Sequence, residues 1–188
     1  MSTAAATAEK LLTIAEFMAL PDDGREYELV RGRLLEMPGR PNQRHGYISL
    51  KIGVLFWEYV ERNALGRLVG NDAAIITRRD PDTVRGADVA YYSFDAIPPG
   101  EIPGKVLEAV PELVFEVMSD SDRWPNVLQK IGEYLQVGVK LVCVLHPEIR
   151  IVEVYTADAR PRILKHSDEF AIPEVFPDFR CPVSQFFD

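Results

Sequence analysis

Apolar positions change their period several times along the chain, and each change predicts an element. TIAEFMAL (13–20) repeats at helical spacing behind a T-x-x-E capping box, Thr13 with Glu16, and stops at Pro21. YELVRGRLLEM (27–37) is two β-rich halves around Arg31-Gly32, the pattern of a hairpin. Over 42–63, Ile48, Ile52, Leu55, Phe56 and Tyr59 recur at helical spacing behind Asn42, which predicts the longest helix. The period then shortens. RLVGNDAAIIT (67–77) and ADVAYYS (87–93) read as strands on either side of the turn-prone RRDPDTVRG. A Pro- and Gly-rich loop covers 97–104 and a short helical stretch 105–109, before the apolar strand ELVFEVM (112–118). Pro125 and Asn126 open a helix that runs to Val137, where Gly138 is a natural stop. KLVCVLH (140–146), IRIVEVYT (149–156) and RILKH (162–166) follow as strands, and FPDFRCPV packs in the tail.

Helices alternating with strands predict an α/β fold: a central mixed β-sheet with helices on its faces. No break is large enough for a domain boundary, so residues 1–188 are expected to form one domain, with residues 1–10 frayed. With 47% apolar residues the chain can bury a core without staples. Cys143 and Cys181 lack the spacing of a zinc site or a disulfide framework. No apolar run approaches a membrane span, and the N-terminus lacks the pattern of a secretory signal, so a soluble, cytoplasmic protein with no membrane partner is expected. A net charge of −8 argues against coating nucleic acid through bulk charge. It does not exclude a nuclease, whose carboxylates lower the net charge.

Candidate chemistry centres on carboxylates in apolar strands. Glu116 shares its side of 112–118 with Val114 and Met118, while Leu113, Phe115 and Val117 take the other. An ionised carboxylate so placed needs a buried arginine, a wet strand end or a metal. Asp88 opens the run DVAYY, 28 residues earlier, as a turn or cap residue or as a second ligand. Two carboxylates converging from adjacent strand ends supply the hard oxygens that Mg²⁺ prefers. On helix 125–137 Lys130 lies roughly 85° from the centre of the apolar face, at an edge from which it either covers core surface or curls over the end of the Glu116 strand.

The ordered set Asp88, Glu116, Lys130 resembles the PD-(D/E)XK nuclease superfamily and, within it, the Uma-type endonuclease family. The pieces that carry the likeness are LTIAEFMALPDDGREYELVRGRLLEMP, a helix containing His45, VRGADVAYYS, PELVFEVMSDSD, LQKIGEYLQVGVKLVCVLHPE and FPDFRCPV. The resemblance implies a restriction-endonuclease-like core with an added N-terminal helix and β-hairpin. It also implies a divalent metal held by Asp88, Glu116 and the Val117 carbonyl. Glu28, otherwise a solvated hairpin residue, becomes a candidate near the metal, and His45 matches the family with no role assigned. The superfamily lysine two residues after the acidic residue is Met118 here, and Lys130 matches the family's lysine on the following helix. Ala87 replaces the motif proline, MSDSDRWPN departs from the usual Ser-Pro-Ser-Thr pattern, and His146 stands in place of an aspartate.

The implied activity is Mg²⁺-dependent phosphodiester hydrolysis, with Mn²⁺ as a substitute, on nucleic acid, DNA rather than RNA, by a homodimer. Arg31, Arg33, Arg40, Arg44 and Arg85 are rim candidates for phosphate, or scattered surface charges. Two other classes compete. A catalytically silent nuclease-fold binding protein suits the low positive charge. A carboxylate-pair glycosidase has no use for Lys130 and lacks a cluster of tryptophans for sugar stacking.

Overall fold

In the computed structural model, residues 10–37, 42–100 and 108–188 are described. The expected fray at 1–10 and helical stretch at 105–109 lie largely outside them, and Arg40 wholly so. The chain is mixed α/β, with helices on both faces of a sheet ordered β2-β1-β4-β5-β6-β7-β8, and β3 paired to β4. The first element, α1 (Ile14–Met18), starts at Thr13 with both capping-box hydrogen bonds made. Strands β1 (Tyr27–Val30) and β2 (Arg33–Glu36) follow as a hairpin, turning on Arg31 and Gly32 at φ 51° and 75°. That pair of positive φ values is what a tight two-residue hairpin turn requires. A side chain at Gly32 would also collide with Leu11.

Helix α2 (Gln43–Arg62) is capped by the Asn42 side chain, as the sequence predicts. Strands β3 (Gly66–Arg78) and β4 (Thr83–Ser93) form a long antiparallel ladder. β4 therefore starts four residues before the predicted 87, and Asp88 sits inside the strand rather than opening it. The ladder breaks once beside Asp88. Between Gly70↔Val89 and Ala73↔Ala87, Asn71 and Asp72 bulge outward with φ of 62° and 54°.

Strand β5 (Leu113–Val117) pairs antiparallel with β4 and parallel with β6 (Leu141–His146). The helix between them, α3 (Trp124–Val137), closes on Gly138 in the left-handed conformation. β7 (Ile151–Tyr155) and β8 (Arg162–Lys165) complete the sheet. The tail adds a second sheet not foreseen from the sequence, β9 (Glu169–Ala171) with β10 (Arg180–Pro182), and a 3₁₀ turn at Val183–Phe186. The tail packs Phe170 of β9, Phe176 and Phe179 of the connection to β10, and Phe186 of the 3₁₀ turn into the core with α2, so tertiary packing rather than strand periodicity sets it.

One topological detail positions the site. β3 covers one edge of β4 throughout, so β1 and β5 share the other edge. β1 pairs at Val84 and β5 at Val89–Tyr91. The edge is split between them, over Arg85–Asp88. Unpaired backbone groups inside a protein need other partners, and here side chains supply them.

Candidate active site

The split is filled from three sides. The Glu28 carboxylate of β1 accepts from the Gly86 amide at 3.0 Å. From α3, the Lys130 ammonium and the Tyr134 hydroxyl reach the Gly86 carbonyl at 2.9 and 3.0 Å. The same two groups hold Glu116. Lys130 Nζ donates to Oε2 at 2.8 Å, and Tyr134 lies 2.9 Å from Oε1. Lys130 and Tyr134 are four residues apart and so share one helix face. On the other side of the gap Asp88 accepts from the Val117 amide at 2.6 Å, and its second oxygen meets His45 Nε2 at 3.1 Å.

Around this runs a buried charge chain. Arg85, 3% exposed, is bound to Glu28 Oε2 at 2.7 Å and forks onto both Glu133 oxygens at 2.5 and 3.1 Å. Lys130 lies 3.5 Å from the other oxygen of Glu28, which is itself 4% exposed. Two carboxylates and two cations are thus interlocked at low exposure, where removing one partner is expensive.

The cluster walls a cavity of about 140 Å³. Six carboxylates line it, from Glu26, Glu28, Asp72, Asp88, Glu116 and Asp122, against the permanent cations Arg85 and Lys130. Burial, and after it this excess, shifts the protonation equilibria. Burial pushes the Glu116 carboxyl up to about 7; Lys130 opposes the rise and Asp88 adds to it. Burial would favour a neutral Lys130 amine, but Glu116 and Glu28 outweigh it and hold the ammonium charged. Burial and then the Asp88 charge raise the Asp72 carboxyl. Burial works against a charged His45 ring, yet its hydrogen bond to Asp88 and that residue's charge raise its pKa overall. Six carboxylates against two permanent cations leave the cavity with an excess of negative charge.

Residues 14–184 match the sequence profile of Uma2, a family described as a putative restriction endonuclease. The chain belongs to the Uma2 family. A putative nuclease of DUF820 from Anabaena variabilis has the same fold, with a TM-score of 0.82 and 18% identity over 94% of this chain and 97% of that one. No curated protein matches the chain.

In this Uma2 chain the structure brings Glu28, Asp88, Glu116, Val117 and Lys130 to one cavity. Glu28 is buried rather than solvated. The arginine rim does not assemble as expected. Arg85 is locked in its buried fork, Arg44 pairs with Glu148 on the surface, and Arg31 is exposed in the hairpin turn. Three participants escaped the sequence reading. By spacing along helix 125–137, Tyr134 belongs to the apolar face and Glu133 lies further round, toward solvent. Asp72 looked like the middle of a strand, although Gly70-Asn71-Asp72 inside an apolar run is a bulge signal.

The donor set fits a hard divalent cation in kind: carboxylate oxygens in charge excess beside a backbone carbonyl. Among the described residues, no group of three or more His, Cys, Asp or Glu side chains is placed to hold a metal ion. Among the described residues, no helix is long and apolar enough to cross a membrane.

Proposed function

We propose that the chain is a nuclease that hydrolyses phosphodiester bonds, with DNA as substrate and Mg²⁺, or Mn²⁺ in its place, as cofactor. Its proposed setting is the cytoplasm, and residues 1–188 are taken to work as one domain. The observation that carries the reading is Glu116: a carboxylate buried in an apolar strand, gripped by Lys130, and opening onto the same cavity as Asp88.

Asp88, Glu116 and the Val117 carbonyl would hold the cation. Bound there, it supplies Lewis-acid polarisation of a phosphoryl oxygen and a water of lowered pKa. Lys130 presents a compact positive charge where negative charge builds on the phosphate. Because Glu116 and Glu28 keep it protonated, Lys130 acts as a charge and a hydrogen-bond donor, not as a base. Tyr134 fixes the direction of the Glu116 carboxylate, and the Val117 amide and His45 fix that of Asp88. Glu28, through Arg85 and the Gly86 amide, ties β1 to the same point and holds the split in shape. A homodimer is proposed through the β2 edge, where Leu34 and Leu35 are exposed.

Supercoiled-plasmid nicking tests the reading. Wild-type protein should nick with Mg²⁺ or Mn²⁺, not with EDTA, and Glu116→Ala and Lys130→Ala should both lose the activity. Nicking that survives both substitutions would refute it. One observation favours a second reading: Lys130 bonds Glu116 directly, which is also how a silent binding protein would neutralise a buried carboxylate. That reading expects no cleavage and no Mg²⁺ uptake through Glu116.

A further inference from the structure

The catalytic cavity is the middle of a longer trough. Toward the start of α3 it continues into a space of about 330 Å³ that shares Glu28, Glu116 and Lys130 and reaches Arg123 and Asn126. Toward α2 it continues into a groove of about 720 Å³ that shares His45, Asp72 and Asp88. The two ends differ in chemistry. The α2 groove is floored by Leu50, Val54 and Trp57, which are 69, 60 and 55% exposed. Gly46 and Gly53 lie beside them, and a methyl group added to either would meet nothing within 4 Å, so the helix surface is open there. The charges on the groove are Glu58, Asp72 and Asp88, with His45 at the catalytic end. Such a surface offers no cation to a phosphate and presents an apolar face to a flat, neutral group.

Continuity with the catalytic cavity fixes which group that is. A strand whose reacting phosphate lies at Lys130 runs along the trough in both directions, and on the α2 side it passes His45 and Asp72 before its bases meet the groove. Trp57 stands twelve residues beyond His45 on the helix, about 18 Å along its axis, within the span of a few nucleotides. Duplex binding draws on many Lys and Arg contacts to phosphate. Here the net charge is −8, and Arg85 and Lys130 are already engaged with carboxylates. An unpaired strand adds to its backbone contacts the stacking of its bases on aromatic side chains, which a duplex keeps inside its own stack.

We propose that the α2 groove is a stacking subsite for an unpaired nucleobase, with Trp57 as its platform, so that the substrate is a single strand or an unpaired region of a duplex. This rests on the nuclease reading for the position of the phosphate. Val54, one turn before Trp57, supplies apolar contact to the same base, and the open helix surface at Gly53 lets it approach.

The chain has two tryptophans, so Trp124→Phe leaves Trp57 as the sole indole reporter. A short oligothymidylate titrated into that protein in EDTA, so that the strand is not cleaved, should quench Trp57 fluorescence. It should bind at least about tenfold more tightly than a blunt duplex of the same length. In the otherwise wild-type chain, Trp57→Ala should weaken the single strand about tenfold and Trp57→Phe should restore most of that loss. Circular dichroism would confirm that both variants fold. Equal affinity for both DNA forms, unmoved by Trp57→Ala, would overturn the subsite. So would a dimer that Trp57→Ala disperses, because the groove would then be covered by a second copy of the chain. Quenching without any plasmid nicking would retain the subsite and remove the nuclease. Nicking without strand preference or quenching would do the reverse.

Discussion

Phe115 and Glu116 are neighbours in β5, yet they belong to two different kinds of interior. Phe115 points to the α2 side, 4.8 Å from the Phe56 ring, in a cluster that also takes Phe170, Phe176, Phe179 and Phe186. Glu116 points to the α3 side and meets an ammonium, a phenol and, nearby, further carboxylates. The aromatic side satisfies itself by packing, so each ring there contributes directly to stability. The charged side satisfies itself by hydrogen bonds around a split in the sheet, and it retains an excess of negative charge. The strand thus packs aromatic side chains on one face and carries a buried carboxylate on the other. Aromatic-side substitutions should cost stability, while substitutions at Glu116 and Lys130 should cost activity.

The largest expected effect is on the aromatic side. Phe56→Ala should lose about 3–5 kcal/mol of stability in urea unfolding, with nicking per folded molecule unchanged. Arg85→Met would sharpen the boundary, because Arg85 lies beside the site but has a structural task. Leaving Glu28 and Glu133 buried without their cation should cost about 3 kcal/mol, read in the same unfolding experiment. Lys130→Met should reduce metal-dependent nicking about a hundredfold in a protein that still folds by circular dichroism; an equal loss of folded protein would erase the contrast.

A smaller effect concerns pH. With its carboxyl pushed up to about 7, Glu116 carries a proton below that pH when no cation is bound. A cation must then displace this proton, so Mg²⁺ affinity should fall by up to about tenfold for each pH unit below 7 and level off above it. Calorimetric titration at pH 6 and pH 8 measures this. Equal affinities at both would separate Glu116 from cation binding. The smallest effect is Tyr134→Phe, which removes one hydrogen bond to Glu116 and should cost about 1 kcal/mol of stability, checked by thermal unfolding.

The sequence and the structure agree where a residue's neighbours lie close along the chain. The capping box at Thr13, the turn at Arg31-Gly32 and the Gly138 stop are local devices, and each is found where its residues predict it. The Glu116 side of β5 is likewise local, because alternation alone assigns it. Less was legible where a partner arrives from afar. Arg85 made Thr83–Gly86 look like a turn, since a charged residue fits a strand interior only if carboxylates meet it. Those carboxylates are Glu28 and Glu133, 57 and 48 residues away. Tyr134 was indistinguishable from its apolar neighbours until its hydroxyl was placed beside Glu116. The tail strands β9 and β10 are too short to show a period, and the phenylalanines in and around them are placed by packing against α2.

The most direct test is Glu116→Gln, assayed for plasmid nicking in Mg²⁺ alongside its thermal unfolding. The substitution keeps the shape of the side chain and removes a buried charge that Asp88 opposes. The account predicts a folded protein, with a melting temperature at or near that of the wild type, that no longer nicks. Wild-type nicking by this variant would contradict it, because the charged face of β5 would then have no part in the chemistry.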